Sequence, residues 1–182
     1  MSATEIKFGG FGGQGVILAG IIIGRAASIY DNKFATLTQS FGPEARGSAC
    51  SAQVIVSEQK VLYPYVTKPE ILLVMSQEAC NKFLPETSDN ATVIIEEDLV
   101  KPHGLKPGMK VYGIPATRLA EELGRKMILN IVMVGFFTAV TKLVDYGSAR
   151  EAVKESVPPG TEAMNLKAFE RGYEYGRKQF GI

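Results

Sequence analysis

The sequence predicts an α/β protein: one three-layer domain over residues 1–182, with a mostly parallel to mixed sheet and a Rossmann-like glycine-rich first turn. Three observations predict it. Short apolar runs rich in β-branched residues alternate with longer segments of helical period, the pattern of a layered α/β domain. The stretch GGFGGQG at 9–15 stands directly between a strand pattern, TEIKF, and an apolar helix pattern, VILAGIIIGRAA. Two strand patterns, ACSAQVIVS at 49–57 and KVLYPYV at 60–66, follow one another across a short turn, so part of the sheet is not parallel.

In order along the chain, residues 4–9 read as the first strand. Gln14 to Tyr30 reads as the first helix, apolar nearly all round and therefore buried. KFATLTQS (33–40) is a second strand, and FGPEARGS (41–48) a loop marked by Gly and Pro. ACSAQVIVS is the next strand, with KVLYPYV placed as its pairing partner. PEILLVMS (69–76) is a buried strand followed by a short helix through about Phe83. NATVIIEE (90–97) and KVYGIP (110–115) are further strands, separated by a loop with two prolines and two glycines. Helices are expected from Thr117 to Leu123, Ile128 to Val144, Ser148 to about Ser156 and Glu162 to about Lys178.

Composition narrows the function classes. A net charge of +1 supplies no field for nucleic acid or an acidic membrane surface. The most apolar stretch, MILNIVMVGFFTAV at 127–140, is too short to span a bilayer and is flanked by Lys126 and Lys142. It reads as a core helix, in which Asn130 requires a hydrogen-bond partner. MSATEIKF has neither the basic nor the apolar region of a signal peptide, so a cytoplasmic location is expected. Cys50 and Cys80 are the only cysteines, each within an apolar segment, and read as buried free thiols. Two isolated cysteines cannot hold an iron–sulfur cluster. His103, the sole histidine, lies in a Pro/Gly loop and reads as solvated, and Glu96, Glu97 and Asp98 read as a polar strand end rather than an acid/base pair.

Two stretches carry candidate chemistry. Gly10, Gly12 and Gly15 satisfy G-x-G-x-x-G between a strand and a helix, where glycine permits positive φ and the helix start offers free N–H groups to an anion. The acidic residue that holds a ribose at the end of strand two is missing, since that strand ends in Gln39 and Ser40. No Lys-Ser or Lys-Thr follows, so it is not a Walker loop. A purely structural turn, an anion site and a dinucleotide site remain as alternatives. The second stretch, TQSFGPEARGS at 38–48, sets Glu44 and Arg46 beside the stiff Gly42-Pro43 pair. Arginine suits bidentate contact with carboxylate or phosphate, and such a loop clamps a ligand, docks a partner or merely closes a turn.

FGGFGGQGV together with TQSFGPEARG, in this order and spacing, resembles the gamma subunit of the 2-oxoacid:ferredoxin oxidoreductases; YGIPATRLAEELG and ILNIVMVGFFTAV are similar too. The TQS and PEAR segments are closer to the 2-oxoglutarate type than to the pyruvate or branched-chain types. The family usually reads Arg-Gly-Gly where this chain has Arg46-Gly47-Ser48. The resemblance implies a subunit of a complex that decarboxylates a 2-oxoacid to acyl-CoA and reduces ferredoxin. Thiamine diphosphate, Mg and iron–sulfur clusters are then expected on partner subunits (alpha, beta and, where present, delta), with none in this chain. Gly10, Gly12, Gly13, Gln14, Gly15, Glu44 and Arg46 become candidate contacts to coenzyme A or to the edge of the active site. Alone, the chain is expected to be inactive, and to associate with itself as a homodimer through surface meant for partners. The competing classes are a stand-alone Rossmann-type nucleotide enzyme and a structural scaffold subunit.

Overall fold

The computed structural model describes residues 3–42 and 48–182. Six strands form one sheet: β1 (Thr4–Phe11), β2 (Phe34–Ser40), β3 (Ala49–Ser57), β4 (Ile71–Val74), β5 (Thr92–Glu96) and β6 (Lys110–Ile114). Their spatial order is β2-β3-β1-β4-β5-β6. β3 is antiparallel to both of its neighbours, and β1, β4, β5 and β6 pair in parallel. The sheet is therefore mixed, with β3 the one reversed strand among those described.

Six α-helices flank it: α1 (Val16–Arg25), α2 (Gln77–Phe83), α3 (Ala116–Glu122), α4 (Leu129–Thr141), α5 (Tyr146–Ser156) and α6 (Glu162–Phe180). One face buries Ile6, Phe8, Val54, Val56, Leu73 and Ile94 against α1 and α3 to α6. The other buries Leu72, Val74, Val93 and Ile95 against α2, through Ala79, Cys80 and Phe83. The three layers are thus unequal, which explains why α4 is apolar all round: Leu129 through Ala139 are all buried, with α6 covering the side away from the sheet.

Several expectations are corrected. Residues 60–66 do not form a strand beside β3; they are an irregular loop with Leu62, Tyr63 and Tyr65 exposed. Pro64 lacks the N–H a ladder needs, and the chain is fastened instead by the Glu5 carboxylate, which accepts the Thr67 and Lys68 N–H groups at 2.7 Å each. The first helix starts at Val16, two residues later than expected, and ends in a π-helical turn over Ala26–Tyr30. β1 runs on through Gly9 and Gly10 to Phe11, so Gly10 belongs to the strand and not to the turn. Helix α4 stops at Thr141, because Lys142 adopts a left-handed φ of 51°.

Candidate functional site

The parallel neighbours β1 and β4 send their helices to opposite faces, α1 to the larger core and α2 to the smaller. Their carboxyl ends therefore form a topological switch point, where open α/β sheets leave a crevice. The glycine turn sits in it. Gln14 folds back so that its Oε1 accepts the Phe11 N–H at 2.7 Å and its Nε2 donates to Met75 O at 2.9 Å, bridging the ends of β1 and β4. Gly10 makes that possible, since a Cβ there would lie 2.6 Å from Gln14 Oε1. Gly13 and Gly15 take left-handed φ of 95° and 74°. The first hydrogen bond of α1 runs from Ala19 N–H to Gly15 O, leaving the N–H groups of Val16, Ile17 and Leu18 without a helical acceptor. Asn130, in the first turn of the apolar α4, finds its partner here: Nδ2 donates to Gly15 O at 3.3 Å.

Two clefts open beside the turn, separated by Lys126 and Met127. One, of about 480 Å³, lies over the switch point and is lined by Phe11, Gly13, Gln14, Met75, Gln77 and Leu99. The other, of about 570 Å³, runs from Gly15 and Leu18 to Asn130, Pro158 and Met164. Met127, at 80% exposed, stands between them. Arg125 and Lys126 are exposed and have no salt-bridge partner among the described residues. The arrangement is a pair of mostly apolar clefts with unpaired cations on their shared rim and the start of α1 beside them, suited to a long ligand that carries an anionic group.

Of the residues singled out in the sequence, Gly12, Gly13, Gln14 and Gly15 come together at this rim, with Gly10 beneath them. Glu44 and Arg46 lie outside the described residues. The ends of their loop do not: Phe11 pairs with Ala49 and Ser40 with Ser51, so residues 41–48 leave and re-enter the sheet at the edge that carries the glycine turn. Sequence reasoning missed Arg125, Lys126 and Met127. The signal was present in GRKM, where Gly124, with φ of 90°, ends one helix and two cations precede the next.

Glu96 also departs from expectation. Glu97 and Asp98 face Arg118, whose Nε donates to Asp98 at 2.6 Å. Glu96 instead is fully buried, its Oε2 accepting from Thr117 Oγ1 and its Oε1 from the Asp98 N–H, both at 3.3 Å. Burial pushes its carboxyl above the ordinary value of 4.5, and the Asp98 charge adds to the rise. A folded carboxyl that holds its proton longer than the unfolded one makes stability fall as pH rises from 4.5 through the raised value, and level off above it. Glu96→Gln is expected to flatten this dependence and to be the more stable protein at neutral pH, measured by urea unfolding across a pH series. The same slope in both proteins would show that Glu96 does not cause it.

Among the described residues, no group of three His, Cys, Asp or Glu is placed to hold a metal ion, and no helix is long and apolar enough to cross a membrane. His103 is exposed, and Cys50 and Cys80 are buried free thiols, with burial raising both above the usual thiol range.

Fold and crevice define a doubly wound α/β chain with an open crevice at its switch point. Residues 5–175 match the family model for pyruvate ferredoxin/flavodoxin oxidoreductase, and the chain belongs to that family. It is 46% identical to the 2-oxoglutarate synthase subunit KorC of Methanocaldococcus jannaschii, over 96% of this chain and 94% of that one. The pyruvate synthase subunit PorC of the same organism is 32% identical, over 97% and 99%. In structure the chain resembles the gamma subunit of a keto/oxoacid ferredoxin oxidoreductase from Geobacter sulfurreducens PCA, with a TM-score of 0.88, 36% identity and 98% of each chain covered.

Proposed function

We infer that this chain is the gamma subunit of a 2-oxoglutarate:ferredoxin oxidoreductase and forms the rim of the cavity in which the acyl group passes to coenzyme A. The observation that carries the 2-oxoglutarate assignment is the gap between 46% and 32% identity to two subunits of one organism, the higher being the KorC type. The redox and decarboxylation chemistry falls to partner subunits carrying thiamine diphosphate and iron–sulfur clusters, with ferredoxin as acceptor. This chain contributes binding and water exclusion. Val16, Ile17 and Leu18 N–H groups, with Lys126 and the Arg46 loop, receive the phosphates of coenzyme A, and the apolar cleft between Phe11 and Leu129 takes its thiol-bearing arm. Gly12 to Gly15 let the ligand approach the backbone, and Gln14 holds the turn in register with β4.

The test is steady-state kinetics of the complex reconstituted with its partner subunits. Arg46→Ala and Lys126→Ala are each expected to raise KM for coenzyme A about tenfold, or about 1.4 kcal/mol, the loss of one charge-assisted contact. KM for 2-oxoglutarate is expected to stay put. Unchanged coenzyme A kinetics in both variants would reduce the crevice to a structural turn. Without its partners the chain is expected to be colourless and inactive toward any 2-oxoacid; bound thiamine diphosphate or an iron-dependent visible spectrum on the lone subunit would overturn the assignment.

A further inference from the structure

Strand β2 is the outermost strand of the sheet, and no other described strand pairs with its outer edge. Its sequence, FATLTQS, contains no charge, proline or glycine, the usual devices that keep an open edge from pairing. Phe34 and Leu37 are exposed along it, at 48% and 39%. Beside it a groove of about 240 Å³ runs between β2 and α1, lined by Ile21, Gly24, Arg25, Ser28, Ala35 and Leu37, with Arg25 held by Glu155 and Ser156; a Cβ at Gly24 would meet nothing within 4 Å, so the groove floor is open. On the opposite face of the strand, the hydroxyl oxygens of Thr36 and Thr38 are buried and have no hydrogen-bond partner. Buried hydroxyls are ordinarily paired.

We propose that β2 pairs antiparallel with β2 of a second copy of this chain across a two-fold axis at Leu37, continuing the sheet through a homodimer. The two-fold fixes the register. Leu37 meets Leu37 of the second copy, Ala35 meets Gln39, Phe34 meets Ser40, and Thr36 meets Thr38. Residues directly opposed in an antiparallel pair share a face with their Cβ atoms about 5 Å apart, the distance at which threonine hydroxyls bond across strands. Rotation about χ1 turns each orphan hydroxyl, closed to solvent in the single chain, toward the opposed threonine of the second copy, so one register serves both. It also brings Leu37 and Gln39 of the second copy to the α1 face, over the groove. The strand's lack of charge leaves nothing to repel an identical strand. The inference stands independently of the coenzyme A assignment, because the β2 edge is separate from the crevice between β1 and β4.

Sedimentation equilibrium of the full chain without other subunits, at micromolar concentration, is expected to give twice the chain mass of 19.7 kDa. Leu37→Glu sets two like charges on the axis and is expected to give 19.7 kDa with an unchanged circular dichroism spectrum. Cysteine pairing then reads the register. Opposed residues lie within disulfide reach, so Leu37→Cys is expected to oxidise to a covalent dimer by itself. Thr36→Cys is expected to do so only when mixed with Thr38→Cys. Cys50 and Cys80 are buried, and the unsubstituted chain under the same oxidant measures their background. A monomeric wild-type chain, a dimer indifferent to Leu37→Glu, or Thr36→Cys cross-linking to itself as readily as Leu37→Cys would each overturn the proposal. A monomer whose Leu37→Glu variant no longer binds the partner subunits would assign the edge to one of them instead.

Discussion

Gly172→Ala is expected to be among the most destabilising single-methyl additions in the protein. Helices α4 and α6 meet backbone to backbone. A Cβ at Gly172 would lie 2.8 Å from the carbonyl carbon of Val132 and 3.0 Å from Phe136 N, and one at Gly135 would lie 2.9 Å from both the carbonyl carbon of Phe169 and Tyr173 N. Backbone cannot swing aside as a side chain can, so the helices must separate. Separation loosens Phe136 and Phe169, both fully buried, and the edge-on contact of Phe136 with Tyr175 at 6.0 Å. Overpacking of this kind costs about 3 kcal/mol, or roughly 10 °C in Tm for a domain of this size. Gly147→Ala is the control. It lies in the first turn of α5, and its added Cβ meets nothing within 4 Å. It is expected to gain about 0.5 kcal/mol from helix propensity and reduced freedom of the unfolded chain. Thermal melts of the two variants decide the matter: equal Tm values would mean that α4 and α6 are not packed this closely.

The same contact shows where sequence reading stops. That ILNIVMVGFFTAV is a buried helix was legible from its unbroken apolarity, and so was the need of Asn130 for a partner. That Gly135 meets α6 was not, because a glycine inside a helix pattern looks alike whether it faces solvent, a side chain or another backbone. The strands followed from β-branched runs, and the mixed sheet from strands without a helix between them. The particular reason failed, however. KVLYPYV reads as a strand by composition, but Pro64 removes a donor, and the true reversed strand, β3, inserts between β1 and β2, a long-range choice that no local signal encodes.

The site was legible to the same degree. G-x-G-x-x-G located the turn, although of its three glycines only Gly15 takes a left-handed φ; Gly10 lies in β1 and clears space for Gln14. Lys126 and Met127 read only as the flank and start of an apolar helix, and the Gly124-Arg125-Lys126 signal gains meaning only when the packing of α4 against α1 brings it to the crevice. Glu96 could not be told from Glu97 and Asp98 in a run of three acids; strand alternation turns Glu96 inward with Ile94, and α3 then closes over it.

Gly15→Ala tests the link between that packing and the site. Gly15 holds φ of 74°, which costs an alanine about 1 kcal/mol or somewhat more. Its methyl would also lie 2.6 Å from Asn130 Cγ. Asn130 is 4% exposed, and moving it breaks the bond from its Nδ2 to Gly15 O and leaves a buried amide unpaired, a further loss of about 2 kcal/mol. Together the loss is about 3 kcal/mol in unfolding free energy. Gly13→Ala is expected to lose only the backbone part, about 1 kcal/mol, since its φ of 95° is equally left-handed but its Cβ meets nothing within 4 Å. The double variant Gly15→Ala with Asn130→Ala removes the amide group from the clash, leaving only a tight contact with the residue 130 Cβ at 3.0 Å, and is expected to be less destabilised than the sum of the two single changes by about 1 to 2 kcal/mol, the coupling of residues in contact. Displacing the turn also misaligns the N–H groups of Val16 to Leu18, so at temperatures where Gly15→Ala remains folded its complex is expected to lose coenzyme A turnover about tenfold. Additive losses in the cycle, or Gly13→Ala and Gly15→Ala melting together, would show that Asn130 does not hold the turn, and that the apolar helix carries an asparagine for some other reason.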